Sequence, residues 1–271
     1  MDKQFYSEVK VHGELSKYID CIWFGHNIEL KNCHVIPDNT IELIFTINPI
    51  SRKLSGSADC ETYASHLSGL KTKSQVLQFN GGKIAGIRFK PEGIYPFLKR
   101  DVSDLINASI EPYLVFGDRI KTLENRVLEA LTYDRSDAFL VQLIENHFLQ
   151  DLRDLSRDQL VESIVSNIKR TNGAISIAAI ADSAGCSIKT IERRFKEKVG
   201  LNPKKYSGLY RLHQSILDIE NPADKLSDIA YDNGYYDQMH FIKEVKRYTG
   251  LTPKEIFAFK SGLQEPTLTR K

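Results

Sequence analysis

A chain of 271 residues, 41% of them hydrophobic and 27% charged, has the make-up of an ordinary globular protein and is long enough for two domains. No apolar run is long enough to span a bilayer. The N-terminal "MDKQFYSEVKVHGEL" lacks the positive-then-apolar layout of a secretion signal, so a cytoplasmic chain with no membrane partner is expected. Net charge is only +2 but unevenly placed: residues 1–150 hold 17 basic and 19 acidic side chains, residues 151–271 hold 20 and 16. A basic block in a near-neutral chain suggests a local polyanion contact, although a solvated helix face would look the same by charge alone.

The region up to about Asn107 reads as mainly β. "DCIWFGHNIEL", "HVIPDNTIELIFTINPI", "SQVLQFN" and "GGKIAGIRFK" are rich in β-branched and aromatic residues and are separated by Gly, Pro, Asn and Asp. Short strands at this spacing predict a β-barrel or sandwich. Pro91 is placed to open a short helix, "PEGIYPFL", and Ser103 to cap another. From Gly117 the period changes. Ile120, Leu123, Val127, Leu128 and Leu131 keep helical spacing, as do Phe139, Leu140, Leu143 and Ile144, predicting two packed helices that close an α+β domain at residue 150.

The polar stretch at residues 151–158 reads as a linker. An all-α domain is expected over 159–260, with a tail at 261–271. Seven helices are predicted there, near 159–170, 176–184, 187–198, 203–219, 226–233, 237–248 and 253–259.

Two of these segments repeat one pattern. "GCSIKTIERRFKEKVGLNPKKY" and "GYYDQMHFIKEVKRYTGLTPKEIF" each open on Gly, continue as a basic amphipathic run, and close on Gly-Leu-x-Pro-Lys. Each follows a short helix, so each unit reads as helix, glycine turn, helix. In the first, Ser187 is the expected cap, Ile188, Ile191, Phe195 and Val199 the packing stripe, and Lys189, Arg193 and Lys196 the free face, with Thr190 and Glu192 at its borders. In the second, Asp237 is the expected cap and Phe241, Val245 and Tyr248 the stripe. Gln238, Met239, His240, Ile242, Lys243, Lys246 and Arg247 are left outside it. A helix of this width fits the DNA major groove, where Arg and Lys donate to guanine and a carboxylate accepts from cytosine. A long helix carrying Leu209, Leu212, Ile216, Leu217 and Ile219 joins the two units. A lone basic amphipathic helix is more often a solvated face; two copies with matched caps, turns and exits reverse that preference.

Residues from about 160 to 259 resemble the DNA-binding domain of AraC-type transcription regulators. The resemblance rests on "IAAIADSAGCSIKTIERRFKEKVGLNPKKY" and, more diagnostically, on Ile229-Ala230, Gly234-Tyr235, Phe241, Lys246-Arg247 and Gly250-Leu251-Thr252-Pro253. It implies two helix-turn-helix units joined by a long helix, with Lys189, Glu192 and Arg193, and Gln238, Met239, Ile242 and Lys243, as base-edge candidates. Val245 departs from the family's usual Phe, which implies looser packing beneath that helix.

"VIPDNTIELIF" and "GIRFKPEG" resemble the β-rich domain on a subset of these regulators, which binds a small effector, dimerises the chain, or both. The implied partners are double-stranded DNA, RNA polymerase, a small-molecule effector and a second copy of the chain. Trp23, His34, Phe45, Arg88 and Phe89 are the pocket candidates, with a structural ion pair from Arg88 to Asp38 or Glu42 as the competing reading.

The alternative is a DNA-binding protein whose N-terminal domain is a protein-interaction module or a metal- or thiol-dependent one. Cys21, Cys33, Cys60 and Cys186 form no C-x-x-C pair, and with His26, His34 and His66 they match no ligand spacing. Neither a metal nor another cofactor is therefore expected. No nucleophile–base motif is present, so no enzyme is expected either.

Overall fold

The computed structural model describes residues 5–54, 60–152, 156–219 and 225–262. Its N-terminal region is built on two antiparallel sheets. The larger has six strands in the order β1 (Phe5–Lys10), β2 (Ile19–His26), β9 (Ile84–Phe89), β4 (Ile41–Thr46), β7 (His66–Ser68) and β10 (Ser109–Ile110). The smaller has four, in the order β3 (Leu30–Val35), β8 (Gln75–Phe79), β5 (Ile50–Leu54) and β6 (Cys60–Tyr63).

Alternation along the strands divides the larger sheet's two faces. Ile22 and Phe24, Leu43 and Phe45, and Ile87 and Phe89 share one buried core with Ile120, Leu123, Ile144 and Phe148 of the following helices. Those helices are α1 (Pro112–Phe116), α2 (Arg119–Thr132) and α3 (Asp137–Asp151). Phe148 stands edge-on to Phe89 at 5.6 Å. The alternate residues Cys21, Trp23 and Ile84 join Ile28, Leu30, Ile50 and Phe79 in a second, smaller core between the sheets.

Two expected helix starts do not form. "PEGIYPFL" yields only a 3-10 turn at Tyr95–Phe97. Gly93 lies so close to the Tyr18 backbone that a Cβ there would meet the Tyr18 carbonyl at 2.4 Å, and its N–H is taken by Lys90. Ser103 lies inside a second 3-10 turn, Val102–Leu105, whose cap position is Asp101. Phe139, placed on the buried stripe by spacing, is exposed beneath the Arg135 guanidinium.

The C-terminal region is all α: α4 (Gln159–Arg170), α5 (Ile177–Ala184), α6 (Ile188–Val199), α7 (Pro203–Leu217), α8 (Leu226–Asp232), α9 (Gln238–Thr249) and α10 (Pro253–Gly262). Side chains of Asp158, Ser176, Ser187, Asn202 and Asp237 accept from the free N–H groups that open α4, α5, α6, α7 and α9. The hydrophobic core of the sheet–helix layer continues into this region. Of the stretch read as a linker, residues 153–155 lie outside the described residues, as do 263–271 of the tail. Asp158, at the linker's end, is buried.

Candidate nucleic-acid interface

Helix α5 ends on Gly185, whose left-handed backbone (φ 60°) turns the chain into α6. Ser187 then accepts from the Thr190 N–H at 3.1 Å and bonds the Thr190 hydroxyl at 2.9 Å. Both hydroxyls are thus engaged in starting the helix. Ile191, Phe195 and Val199 are fully buried, and Phe195 stands edge-on to Tyr206 of α7 at 5.6 Å. Ile188, expected on this stripe, is 46% exposed, because the first turn stands clear of the core. Lys189, Glu192, Arg193 and Lys196 are all exposed, and Arg193 is tied lightly to Glu197 one turn on, at 3.0 Å.

The other two cations of α6 do a different job. Arg194 and Lys198 reach the buried Asp158 carboxylate at 2.7 and 2.5 Å. Burial alone would raise the Asp158 pKa, but Lys198, Arg194 and the Val161 N–H together hold it below the usual carboxylate range. α6 is therefore fixed to the start of α4 through one face while the other stays open.

The second unit repeats the build. Asp237 accepts from the His240 N–H at 2.7 Å, and Phe241 and Val245 are fully buried. Tyr248 is only half-buried, with Arg247 over its ring at 5.0 Å; Thr249 is the buried residue of that last turn. Gln238, Met239, His240, Lys243, Lys246 and Arg247 are exposed, and Ile242 is half-buried. Tyr235 is buried beneath Arg211, whereas the next residue, Tyr236, is 93% exposed beside the start of α9. Spacing carries no sign that the two tyrosines differ.

A polar cluster connects the two units. Asn172, at the turn after α4, donates to Asn233 at 2.9 Å, and Asn233 donates to Asp218 at the end of α7 at 2.7 Å. The C-terminal ends of α6 and α9 both rest on the N-terminal region. Gly200, left-handed at φ 98°, leaves room for Ile106 and Val102, which a Cβ would meet at 2.8 and 3.2 Å. At the end of α9, the Tyr248 carbonyl accepts from the Ser74 N–H at 3.0 Å and the Thr249 carbonyl from the Ser74 hydroxyl at 2.7 Å. These are helix-end carbonyls with no partner inside the helix.

Between the two sheets lies a cleft of about 870 Å³, its open mouth counted. Trp23, Ile28, Leu30, Ile44, Leu77 and Phe79 form its apolar wall; Asp38, Glu42, Arg52, His66, Lys71 and Gln75 its polar end. Gly86, opposite Trp23 in the sheet, is required there: a Cβ would lie 2.1 Å from the indole ring.

Of the five residues expected to line a pocket, only Trp23 lines this cleft. Phe45 and Phe89 point to the opposite face of their strands, into the core under the helices. Arg88 is paired with Glu42 at 3.1 Å and Glu8 at 2.9 Å, the structural role that competed with a pocket one. Burial is the largest single influence and works against its charge, but Glu42, Cys21, Tyr6 and Glu8 together outweigh it and raise its pKa. His34 is half-buried on β3, away from the lining. Lys71, Gln75 and Arg52 sit in turn-like or alternating polar sequence that carries no mark of their burial.

His66 is driven down to about 4 by burial, with its Nδ1–H donating to the Ala64 carbonyl at 2.8 Å, so the ring is neutral near pH 7. Burial pushes the Cys21 thiol up to about 12, which keeps it protonated and unreactive. Among the described residues, no group of three or more His, Cys, Asp or Glu gathers to hold a metal, and no helix is long and apolar enough to cross a membrane.

Capped helices following tight turns, each with one buried stripe and one exposed basic face, have the build of a helix-turn-helix domain. A family model described as "Helix-turn-helix domain" matches residues 180–258, and one described as "Domain of unknown function (DUF6597)" matches residues 7–111. The HTH-type transcriptional activator RhaS of Enterobacter sp. (strain 638) is 30% identical over 120 residues, covering 40% of this chain and 43% of that protein. RhaS of Escherichia coli O1:K1 / APEC is 27% identical over 126 residues, 42% and 45% of the two chains. The chain thus spans less than half the length of the curated relatives it matches. ToxT from Vibrio cholerae, a solved structure, is 14% identical with a TM-score of 0.47, over 95% of this chain and 98% of that one. The chain thus carries a C-terminal helix-turn-helix domain, similar over part of its length to the RhaS activators, and a distinct β-rich N-terminal domain.

Proposed function

We propose that the chain is a sequence-specific transcription regulator in which α5–α6 and α8–α9 are two helix-turn-helix units joined by α7, with α6 and α9 entering successive major grooves of double-stranded DNA. The observation that carries this is the doubled build: the same cap, buried stripe and exposed basic face occur twice in one chain. Lys189, Glu192 and Arg193 read base edges from α6, and Lys196 holds phosphate. Gln238, Met239, Ile242 and Lys243 face bases from α9, where the two apolar side chains suit thymine methyls; His240, Lys246 and Arg247 hold backbone. Tyr236 is placed to touch phosphate beside the start of α9.

The domains divide near residues 151–158, and the cleft in the first of them accepts a small-molecule effector. It joins an apolar wall to a few buried polar groups, the lining that small-molecule sites share. This class of function also calls for self-association and contact with RNA polymerase.

Selection from a random DNA pool with the full chain tests the DNA-binding reading. An enriched motif with two separated half-sites, and an affinity that falls linearly with the logarithm of salt concentration, is the expected result. Enrichment of no sequence refutes it.

A further inference from the structure

We propose that the cleft takes a molecule with an apolar body and one anionic head, that the head seats on Lys71 and Gln75, and that the segment carrying this seat reports occupancy to the end of α9 through Ser74. The proposal rests on the effector reading of the cleft and adds the ligand's chemistry and the route by which it acts.

The seat follows from the charges at the polar end. Four charged side chains line it. Glu42 is held by Arg88, and Asp38 accepts from the hydroxyl of Thr40 at 2.7 Å. Arg52 is held by Glu61 at 2.5 Å and donates to the Asn107 carbonyl at 3.2 Å. Lys71 is buried, 6% exposed, and has no carboxylate within ion-pair distance among the described residues. A buried cation without a counter-ion is costly, and an anion arriving beside it removes that cost. Gln75 is 1% exposed, and its side-chain amide nitrogen is buried with no acceptor. Charge and donor thus point to the same need, a negatively charged acceptor. The apolar wall of Trp23, Leu30, Ile44 and Phe79 sets the body.

The route follows from the chain between the two seat residues. Residues 69–74 connect β7 to β8 and are strapped at one side: Gly69 donates to Ala108, Asn107 to Leu70, and Thr72 to the Asn107 side chain. Gly69 tolerates no Cβ, which would sit 1.7 Å from the Leu105 carbonyl. A strapped segment does not absorb a shift of Lys71 or Gln75 by flexing; it passes the shift on. Ser74 adjoins Gln75 and holds the last two carbonyls of α9. An anion drawn against Lys71 and Gln75 thereby biases the hold on the second DNA-facing helix.

Trp23 is the chain's single tryptophan, so its emission reads the cleft directly. The full chain is titrated with straight-chain and aryl-alkyl carboxylates, each beside its own primary amide. The carboxylates are expected to shift Trp23 emission at concentrations about tenfold or more below those of the amides, the size of one charge-assisted hydrogen bond. Lys71→Met is expected to erase that preference and Lys71→Arg to keep it. Ser74→Ala is expected to bind carboxylate as the parent does but to lose the change in DNA affinity that carboxylate causes in the parent. Equal affinity for acid and amide, or a preference that survives Lys71→Met, overturns the seat. An unchanged DNA response in Ser74→Ala overturns the route. Silence of Trp23 toward every pair, with DNA selection intact, overturns both parts while sparing the DNA-binding reading, which fails only if the parent selects no DNA.

Discussion

Helices α6 and α9 are built alike and held differently. Each starts on a capping side chain and ends on a left-handed glycine, and each buries an aromatic residue at its centre, Phe195 in one and Phe241 in the other. Their outer faces have little in common: Lys189, Glu192, Arg193 and Lys196 on α6 against Gln238, Met239, Ile242 and Lys243 on α9. Their anchors differ too. α6 is held by ionic bonds from Arg194 and Lys198 to Asp158, whereas α9 is held by neutral hydrogen bonds from Ser74 to its terminal carbonyls. A shared scaffold thus leaves the outer faces free to diverge, because they take no part in the central packing.

The likeness of the two scaffolds can be broken with the largest effect. Phe195→Ala and Phe241→Ala should each cost about 3–5 kcal/mol, as expected for emptying a fully packed aromatic site. Denaturant unfolding of the two variants checks this, and a loss near zero in either would show that the two units are not built alike.

The difference in anchors comes next. Asp158→Ala removes a helix cap and the partner of two cations, and should cost about 2–3 kcal/mol; part of the ionic contribution is screened because Arg194 and Lys198 are partly exposed. Ser74→Ala removes one neutral bond and should cost about 1 kcal/mol. Reversal of that order in thermal unfolding would contradict the assignment of the stronger anchor to α6.

The outer faces differ by amounts best read on DNA. Arg193→Ala should lose about 1–3 kcal/mol of discrimination at one base pair, while Lys196→Ala weakens all sequences alike and lowers the salt slope by about 1. Met239→Ala should change discrimination by less than about 1 kcal/mol. Equal, unselective losses at Arg193 and Lys196 would refute their separate roles.

The last contrast is one of pH. The Asp158 pKa is lowered in the folded chain, so its stabilisation is complete above the ordinary carboxylate range and disappears as pH falls through the lowered value. Ser74 does not titrate. Acid should therefore loosen α6 before α9, and hydrogen exchange at the two helix ends, compared between the parent and Asp158→Asn, measures it.

The helices of the C-terminal region were legible in the sequence because caps, periodic stripes and stop glycines all act within a few residues. α4 falls at 159–170 and α7 begins at Pro203, as spacing indicated. The β region was legible as β but not strand by strand. Strands such as β6, Cys60–Tyr63, and β7, His66–Ser68, are short, and their pairing is set by partners distant in the chain. The cleft was hardest to foresee. Phe45 and Ile44 are neighbours of similar polarity, and only the sheet's two-sided pleat sends one under the helices and the other to the cleft. Whether Lys71 is buried depends on a loop closed by Asn107, which no local pattern announces.

The Asn172–Asn233–Asp218 cluster bears on what counts as a binding site in DNA. By tying the turn after α4 to the turn before α9 and the end of α7, it fixes how far apart, and at what angle, the two proposed reading helices stand. One base pair inserted between two half-sites rotates one about the axis by about 35° relative to the other. If α6 and α9 read half-sites as proposed, a chain locked in this way acts as a ruler: a pair of correct half-sites set at the wrong distance is rejected, and the gap between the words becomes part of the message.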